Sequence, residues 1–255
     1  MVEIEIKPLA KDTIVINVSS PPATRKTTLC RALSSSLSKY GIRVSYVSFT
    51  GFHNFSYLFS RVLYLIFKVL GKTSPLCRNP SSIAKIHPYD CIPLEYEIAL
   101  IKLIYMLETL SLHYKVLGIL SGIAIFRPRV VLLDEGFPHI ILNYIMFFHT
   151  RKSRLYRHLN RLVARILKMF SRYFDEFVII QVLPIENKAI DYWTRRDPYL
   201  PRSLITGWIK AYYIFMPTVI KLLEGVTSRK IIVFNNMEEA YRYTLSFLNT
   251  KNVLP

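Results

Sequence analysis

The chain has 255 residues, of which 51% are apolar, and this is enough for one domain with a sizeable core. It carries 34 Lys and Arg residues against 17 Asp and Glu residues, a formal charge of +17. Such an excess favours phosphate-bearing partners, namely nucleotides, nucleic acid or an anionic membrane surface.

Targeting signals and cysteine motifs are not recognisable in the sequence. The first twelve residues have mixed charges and lack the apolar region of a secretory signal. No stretch appears both long enough and apolar enough to predict a membrane-spanning helix. The three cysteines show neither a CxxC pair nor metal-ligand spacing. We therefore expect a cytoplasmic protein without a disulfide framework.

The first half of the chain predicts strands that alternate with helices. Strands are expected at about residues 13–18 and 43–49, with a helix at about 29–40 between them. The next segment predicts a helix with an apolar face, formed by Phe52, Phe55, Phe59, Val62, Leu63 and Ile66. Four prolines predict a long loop on the substrate side at about 73–93. Residues 94–126 are typical of two buried core helices.

The second half continues the alternation. An apolar strand ends at Asp134-Glu135, and further strands are expected at about 177–183 and 230–234. Helices are expected at about 153–172, 185–195, 203–224 and 237–249, the last capped by Asn236 with Glu239. These elements predict a single α/β domain over residues 1–255, with three layers and a five-stranded, mainly parallel sheet between helices on both faces.

The segment SSPPATRKTT, residues 19–28, follows the first strand where a phosphate-binding P-loop would lie. When Lys26 and Thr27 are aligned with the GK[ST] end of that motif, Ser20 and Arg25 take the glycine positions. Lys26 would reach the terminal phosphates of a nucleotide, and the Thr27 hydroxyl would hold Mg²⁺. The alternative is an ordinary turn between a strand and a helix.

A second segment, VVLLDE at residues 130–135, matches the strand that carries a magnesium-organising acid in P-loop proteins. Asp134 is the candidate for that acid, and Glu135 follows it directly. In parallel sheets ligands bind at the carboxyl ends of the strands, where both segments end. Together they predict a Mg²⁺–ATP site.

Basic residues form two further candidate sites. Arg195 and Arg196, within WTRRD, could stabilise the charge of a transferring phosphoryl group or simply end a helix. A larger set recurs every three or four residues, which places it on one helix face: Arg154, Arg157, Arg161, Arg165, Lys168 and Arg172. This face is either solvated or a contact surface for nucleic acid or anionic lipid.

The order of these motifs resembles the thymidylate kinase family of P-loop nucleotide kinases. The resemblance extends over about residues 13–250 and rests on RKTTLCRALSSSLSKYGIRVSYVSF, VVLLDEGF, FDEFVIIQVLPIENKAIDYWTRRD and KIIVFNNMEEAYRYTLSFL. It implies a P-loop NTPase-like fold, ATP and Mg²⁺ as phosphate donor, and a lid-like segment at about 185–202. By position, Lys26, Thr27 and Thr28 would hold the donor phosphates, Asp134 would serve Mg²⁺ or the acceptor, and Arg195 and Arg196 would be lid arginines.

Two departures from the family pattern leave the function open. The P-loop glycines are missing, and Glu135 stands where the family usually has an arginine that contacts the acceptor phosphate. The first hypothesis is a kinase that acts on a nucleotide or another small molecule. The alternatives are an ATPase that uses Asp134 and Glu135, and an inactive P-loop-like module that binds nucleic acid or an anionic surface. A homodimer is compatible with each.

Overall fold

The structure is a computed structural model that describes residues 12–49, 52, 54–73, 93–174, 176–227 and 231–254. Five strands form one parallel sheet in the order β2-β3-β1-β4-β5. Their bounds are Ile14–Ser19 (β1), Val44–Ser48 (β2), Val130–Asp134 (β3), Glu176–Val182 (β4) and Ile232–Phe234 (β5). All four neighbouring pairs are parallel.

Helices cover both faces of this sheet. Their bounds are Lys26–Lys39 (α1), Phe55–Val69 (α2), Leu94–Ala99 (α3), Ile101–Phe126 (α4), Gly136–Thr150 (α5), Tyr156–Tyr173 (α6), Glu186–Arg196 (α7), Arg202–Thr227 (α8) and Met237–Thr250 (α9). Apolar side chains of α1 and α9 form one core with one face of the sheet, and those of α4, α5, α6 and α8 form another core with the opposite face. The molecule is therefore an α/β fold with three layers.

Successive side chains of β1 point to opposite faces of the sheet, so this strand contributes to both cores. Ile14, Ile16 and Val18 contribute to the core shared with α1 and α9, whereas Val15 contributes to the other. All six residues of β1 are buried, as expected for a central strand covered on both faces. The next residues of the chain, which start at Ser20, therefore emerge at the middle of the sheet, between the carboxyl ends of β3 and β4.

Most predicted elements are confirmed to within a few residues, including the two helices within 94–126 and the cap of α9, where the Glu239 N–H donates to Asn236 Oδ1 over 2.8 Å. Helix α5 was not predicted. Its segment, GFPHIILNYIMFFHT, is apolar on nearly all sides because the helix is buried, so it shows no amphipathic period. The predicted loop at 73–93 lies almost entirely outside the described residues.

The predicted apolar face of α2 is wrong in part. Its buried positions are instead Ser56, Ser60, Tyr64 and Phe67. Val62 and Ile66 are exposed, and Phe52 lies before the helix. The apolar residues of α2 are distributed around the whole helix, so spacing alone could not show which side faces the core.

Helix α4 also differs from the sequence-based expectation. By length and composition it could cross a membrane, with a mean hydropathy of 1.4 in its most apolar window, whereas no such helix was predicted. It was expected to be buried, yet only 28% of that window is buried. One side of α4, including Ile104, Val116 and Ile123, belongs to the core beside the sheet. The other side is exposed and apolar.

Candidate functional site at the carboxyl edge of the sheet

Strand pairing brings the two predicted nucleotide-site segments together. Val18 near the end of β1 pairs with Asp134 at the end of β3, and Ser48 of β2 pairs with Asp134 from the other side. The loop after β1 and the turn after β3 therefore leave the same edge of the sheet. As a result, Thr27 and Asp134 are in direct contact although 107 residues separate them in sequence.

The loop at residues 20–25 adopts unusual backbone angles without glycine. Ala23 and Arg25 have φ angles of 64° and 67°, in the left-handed region that glycine adopts without steric cost. For other residues this conformation costs roughly 1–2 kcal/mol each. Strained residues of this kind cluster at active sites and ligand-binding loops. They persist only where the surrounding structure holds them in place.

Hydroxyl groups hold this loop in shape. Thr24 Oγ1 donates to the Pro21 carbonyl over 2.7 Å and lies 2.6 Å from Ser20 Oγ. Pro21 and Pro22 contribute no N–H donors, so after Ser20 the next backbone donor of the loop is Ala23. Arg25 is exposed.

Helix α1 begins at the end of this loop without a capping side chain. Arg25 occupies the N-cap position and the first turn contains no acidic residue. The first N–H groups of a helix lack intrahelical partners, and the helix dipole adds partial positive charge at this end. The start of α1 is therefore electrostatically suited to an anion.

Lys26, the first residue of α1, is buried and forms an ion pair with Glu135. Lys26 Nζ lies 3.0 Å from Glu135 Oε1, and Glu135 Oε2 lies 3.5 Å from His139 Nε2. His139 is also buried, beside Trp208 and Tyr212 of α8. The structure thus brings the predicted Lys26 and Glu135 together and adds His139, which the sequence did not single out.

Asp134 is buried and accepts two hydrogen bonds on one oxygen. Asp134 Oδ2 accepts from Thr27 Oγ1 over 2.7 Å and from the Tyr46 hydroxyl over 2.6 Å. Its other oxygen, Oδ1, is buried and has no hydrogen-bond partner. Burial and the bond to Asp134 raise the pKa of Tyr46 above its ordinary value, so Tyr46 stays a neutral donor. Tyr46 was missed because an aromatic residue in a strand is most often structural.

The donor atoms around Asp134 fit Mg²⁺. This ion takes oxygen ligands and is usually held by one or two carboxylates together with water and phosphate oxygens. Asp134 supplies a carboxylate with a buried, unpartnered oxygen, and Thr27 supplies a hydroxyl. In the described part of the chain, no group of three or more His, Cys, Asp and Glu residues forms a ready metal cage. Such a cage is not needed when a nucleotide supplies further oxygens.

A tight turn positions Glu135. Glu135 and Gly136 have φ angles of 72° and 55°, and α5 starts directly after β3 as a consequence. The side chain of Asn17 lies under this turn, where its Oδ1 accepts from the Phe137 N–H over 2.9 Å. A Cβ atom on Gly136 would overlap the Asn17 side chain. Glycine is therefore required at this position.

A buried network of hydrogen bonds is centred on Glu108. Glu108 of α4 accepts a hydrogen bond from the Tyr144 hydroxyl over 2.6 Å and another from the Phe52 N–H over 2.8 Å. Burial raises the pKa of Glu108 above its ordinary value, and these hydrogen bonds oppose that shift. The network joins α4, α5 and the segment after β2, and so holds the elements beside Asp134.

Lys115 lines a groove between β2 and α4 with a volume of about 320 Å³. Ser45, Ser48, Gly118 and Gly122 line it as well. Burial lowers the pKa of Lys115 to about 8, although the carboxylates of Glu108 and Glu135 oppose the shift. Charging Lys115 in the folded state therefore costs free energy at neutral pH.

Replacing Lys115 with methionine is expected to increase stability at pH 7. A lysine with a lowered pKa binds fewer protons when folded than when unfolded, so its penalty is fully present below pH 8 and is relieved as the pH rises toward the ordinary value of 10.5. If Lys115 were fully buried, the cost of charging it would be about 3 kcal/mol. Its side chain is partly exposed, so the cost is smaller.

Urea unfolding of both proteins at several pH values tests this expectation. The stability gain of Lys115→Met should be largest at pH 7 and shrink above pH 8, because Lys115 of the folded wild type loses its charge there. Lys102→Met, at an exposed position of the same helix, serves as the control. A gain that does not change with pH would contradict the assignment.

The structure does not bring the predicted lid arginines to the Lys26–Asp134 cluster. The Arg196 guanidinium bonds to the buried carboxylate of Asp197 over 2.8 Å, and Asp197 also accepts from Trp193 Nε1 and the Tyr199 hydroxyl. Arg195 is exposed. The segment at 185–202 is helix α7 followed by a turn anchored on Asp197. A lid role for these arginines stays a prediction.

The basic residues predicted to share one helix face do lie on the exposed side of α6 and just before it. The set is Arg154, Arg157, Arg161, Arg165, Lys168 and Arg172. The opposite side is buried, with Leu159, Val163 and Phe170 in the core. A contact of the exposed basic face with nucleic acid or lipid stays a prediction.

A scan against protein-family models and a search of curated proteins found no match to this chain. The resemblance to thymidylate kinases thus stays a prediction based on motifs, and the geometry of the site carries the functional argument.

Proposed function

We propose that this protein binds Mg²⁺–ATP at the start of α1 and transfers its terminal phosphoryl group to a nucleotide or another small acceptor. The observation that carries the proposal is the contact between two motifs that are distant in sequence. Lys26 lies 3.0 Å from Glu135, and Thr27 lies 2.7 Å from Asp134, beside a loop with two left-handed residues. A positive helix end, a lysine, a hydroxyl and a carboxylate are the groups that a magnesium–triphosphate site needs.

Each residue has a distinct role in this proposal. Backbone N–H groups from Ala23 onward and the Thr28 hydroxyl would surround the donor phosphates, and Lys26 would move from Glu135 to the terminal phosphate. Ser20 is fully buried and bonded to Thr24, so it would support the loop from below. Thr27 and Asp134 hold Mg²⁺, which neutralises charge on the phosphates when bound. Phosphoryl transfer depends mainly on position and charge neutralisation, so no nucleophilic side chain is required. Glu135 would accept the proton of the acceptor.

A Mg²⁺–ATP titration by calorimetry tests the proposal. Lys26→Ala should weaken binding about 100-fold, because a charge-assisted contact with phosphate is lost. Lys39→Ala, at the exposed far end of the same helix, is the matched control and should bind like the wild type. Circular dichroism would establish that both variants are folded. Equally negligible binding by the wild type and Lys26→Ala would refute the proposal.

An ATP hydrolase is the second candidate, favoured by the position of the Glu135 carboxylate beside Lys26. In such an enzyme this carboxylate would polarise a water molecule near the terminal phosphate. The two candidates differ in their need for an acceptor. Steady phosphate release from ATP alone indicates a hydrolase, and turnover that requires an added acceptor indicates a kinase.

A further inference from the structure

Two neighbouring helices expose a continuous apolar surface, which we call the α2–α4 surface. On α4 its residues follow helical spacing along one side, with Leu117 63% exposed. The members on α4 are Leu103, Met106, Leu110, Tyr114 and Leu117. On α2, Val69 is 88% exposed and Leu65 57% exposed. The members on α2 are Phe55, Leu58, Val62, Leu65, Ile66 and Val69.

Contacts between the helices make this one surface rather than two. The rings of Phe55 and Tyr114, both exposed, lie 5.6 Å apart between their centroids. At the other end of α2, Phe67 contacts Tyr96 of α3. The start of α2 therefore lies beside the middle of α4, and its end lies beside α3, the helix that directly precedes α4. Apolar patches of this extent on a protein surface mark sites of interaction.

The exposed charged residues on α2 and α4 themselves have one sign. Residues 54–73 and 101–129 contain a single acid, Glu108, which is buried. The same segments contain the basic residues Arg61, Lys68, Lys72, Lys102, Lys115, Arg127 and Arg129. Lys68, Lys72 and Lys102 are exposed. Glu95 of α3, next to Tyr96, is an exposed acid near the end of α2, so the excess of cations is a property of α2 and α4 themselves. Helices with an exposed apolar side and basic polar residues have the composition of helices that lie in the interface of an anionic membrane.

The exposed charges on α2 and α4 also favour a membrane over a second copy of the chain as the partner of this surface. Two copies docked through this surface would bring Lys68, Lys72 and Lys102 toward the same cations of the partner, without exposed carboxylates on these two helices to compensate. Anionic lipid headgroups offer the complementary charge, because they attract basic residues near the membrane surface.

We propose that the protein docks on anionic phospholipid membranes through the α2–α4 surface, with α2 and α4 lying in the plane of the interface. Helix α4 does not span the bilayer, because its other side holds Ile104, Val116 and the buried Glu108 against the rest of the fold. The exposed apolar residues insert below the headgroups, and the lysines remain among them. This surface is formed without the nucleotide site, so the proposal does not depend on ATP binding.

Co-sedimentation of the full chain with vesicles tests the proposal. The vesicles are pure phosphatidylcholine or phosphatidylcholine mixed with phosphatidylglycerol, each at low and high salt. The wild type should bind the mixed vesicles at least about tenfold more tightly than the neutral ones, with weaker binding at high salt. The double variant Leu65→Glu/Leu117→Glu should lose this binding by at least about tenfold.

Matched variants separate this surface from the rest of the molecule. Tyr40→Glu/Ile185→Glu changes two similarly exposed apolar residues elsewhere and should bind like the wild type. Arg161→Gln/Arg165→Gln removes two cations of α6 and should retain most of the binding. As a second readout, Met106→Trp should show a blue-shifted emission with mixed vesicles, because position 106 would enter an apolar environment.

Three outcomes would overturn the proposal. The first is the absence of binding to mixed vesicles at low salt. The second is binding that the α6 variant abolishes and Leu65→Glu/Leu117→Glu leaves intact, since this would assign the contact to the basic helix. The third is a lipid-free dimer in sedimentation equilibrium that Leu65→Glu/Leu117→Glu dissociates, since this would assign the surface to a second copy. A failed ATP titration would not affect any of these results.

Discussion

Replacing Gly136 with alanine is expected to lower the free energy of unfolding by about 3 kcal/mol. Gly136 has a φ angle of 55°, which an alanine adopts only at a cost. The added methyl group would also overlap the side chain of Asn17, which is fully buried. Movement of Asn17 would break its hydrogen bond with the Phe137 N–H, so the clash cannot be relieved cheaply.

Urea unfolding of the variant and of a matched control would measure this effect. Gly207→Ala is the control, because Gly207 lies inside α8 with open space around its Cβ position. This substitution should stabilise the protein by about 1 kcal/mol, since alanine is the better helix former. Adding Asn17→Ala to Gly136→Ala should remove the overlap but not the strain of the positive φ angle. Equal stabilities of Gly136→Ala and wild type would contradict the geometry of this turn.

Replacing Glu135 with glutamine is expected to increase the affinity for Mg²⁺–ATP about tenfold, which is 1.4 kcal/mol. The Lys26 ammonium is paired with the Glu135 carboxylate, and both groups are largely buried. Binding of a triphosphate requires Lys26 to leave this partner, and the carboxylate then repels the incoming anion. Glutamine removes the competition while it keeps the size of the side chain.

The same variant should lose phosphoryl transfer, because glutamine cannot accept the proton of the acceptor. The calorimetric titration used for Lys26→Ala gives the affinity, and a coupled assay of ADP release gives the rate. Glu238→Gln, which breaks an exposed ion pair with Arg242 on α9, is the control and should change neither value. A weaker affinity for Mg²⁺–ATP in Glu135→Gln would show that the carboxylate supports the bound state, contrary to the expectation.

Local sequence patterns were sufficient to predict the strands and several helices. The β1 and β3 segments are short apolar runs bounded by polar residues, and α1, α6 and α9 have clear apolar periods or caps. Helix α5 escaped prediction because burial on nearly all sides removes the polar face that makes a helix recognisable. The exposed side of α4 was unexpected because an apolar residue in a sequence does not reveal whether a partner covers it.

Part of the candidate site could also be predicted. Lys26, Thr27, Asp134 and Glu135 were identified because each stands at the end of an apolar strand or the start of the following helix. Tyr46 and His139 were not, because a tyrosine in a strand and a histidine in an apolar helix are most often structural. Their roles depend on contacts with Asp134 and Glu135, which only the folded chain forms.

The sequence by itself determined the class of fold and the residue types at the ends of its central strands, since both follow from local patterns of apolar and polar residues. It also determined that the loop at 20–25 lacks glycine. Only the tertiary structure decided that this loop adopts left-handed angles at Ala23 and Arg25, and that Glu135 pairs with Lys26. Strand order sets the contact between Lys26 and Glu135, because it brings together residues about one hundred positions apart. Hydroxyl bonds among Ser20, Pro21 and Thr24 hold the loop in its conformation. Packing left one apolar side of α2 and α4 exposed, where their composition suggested burial.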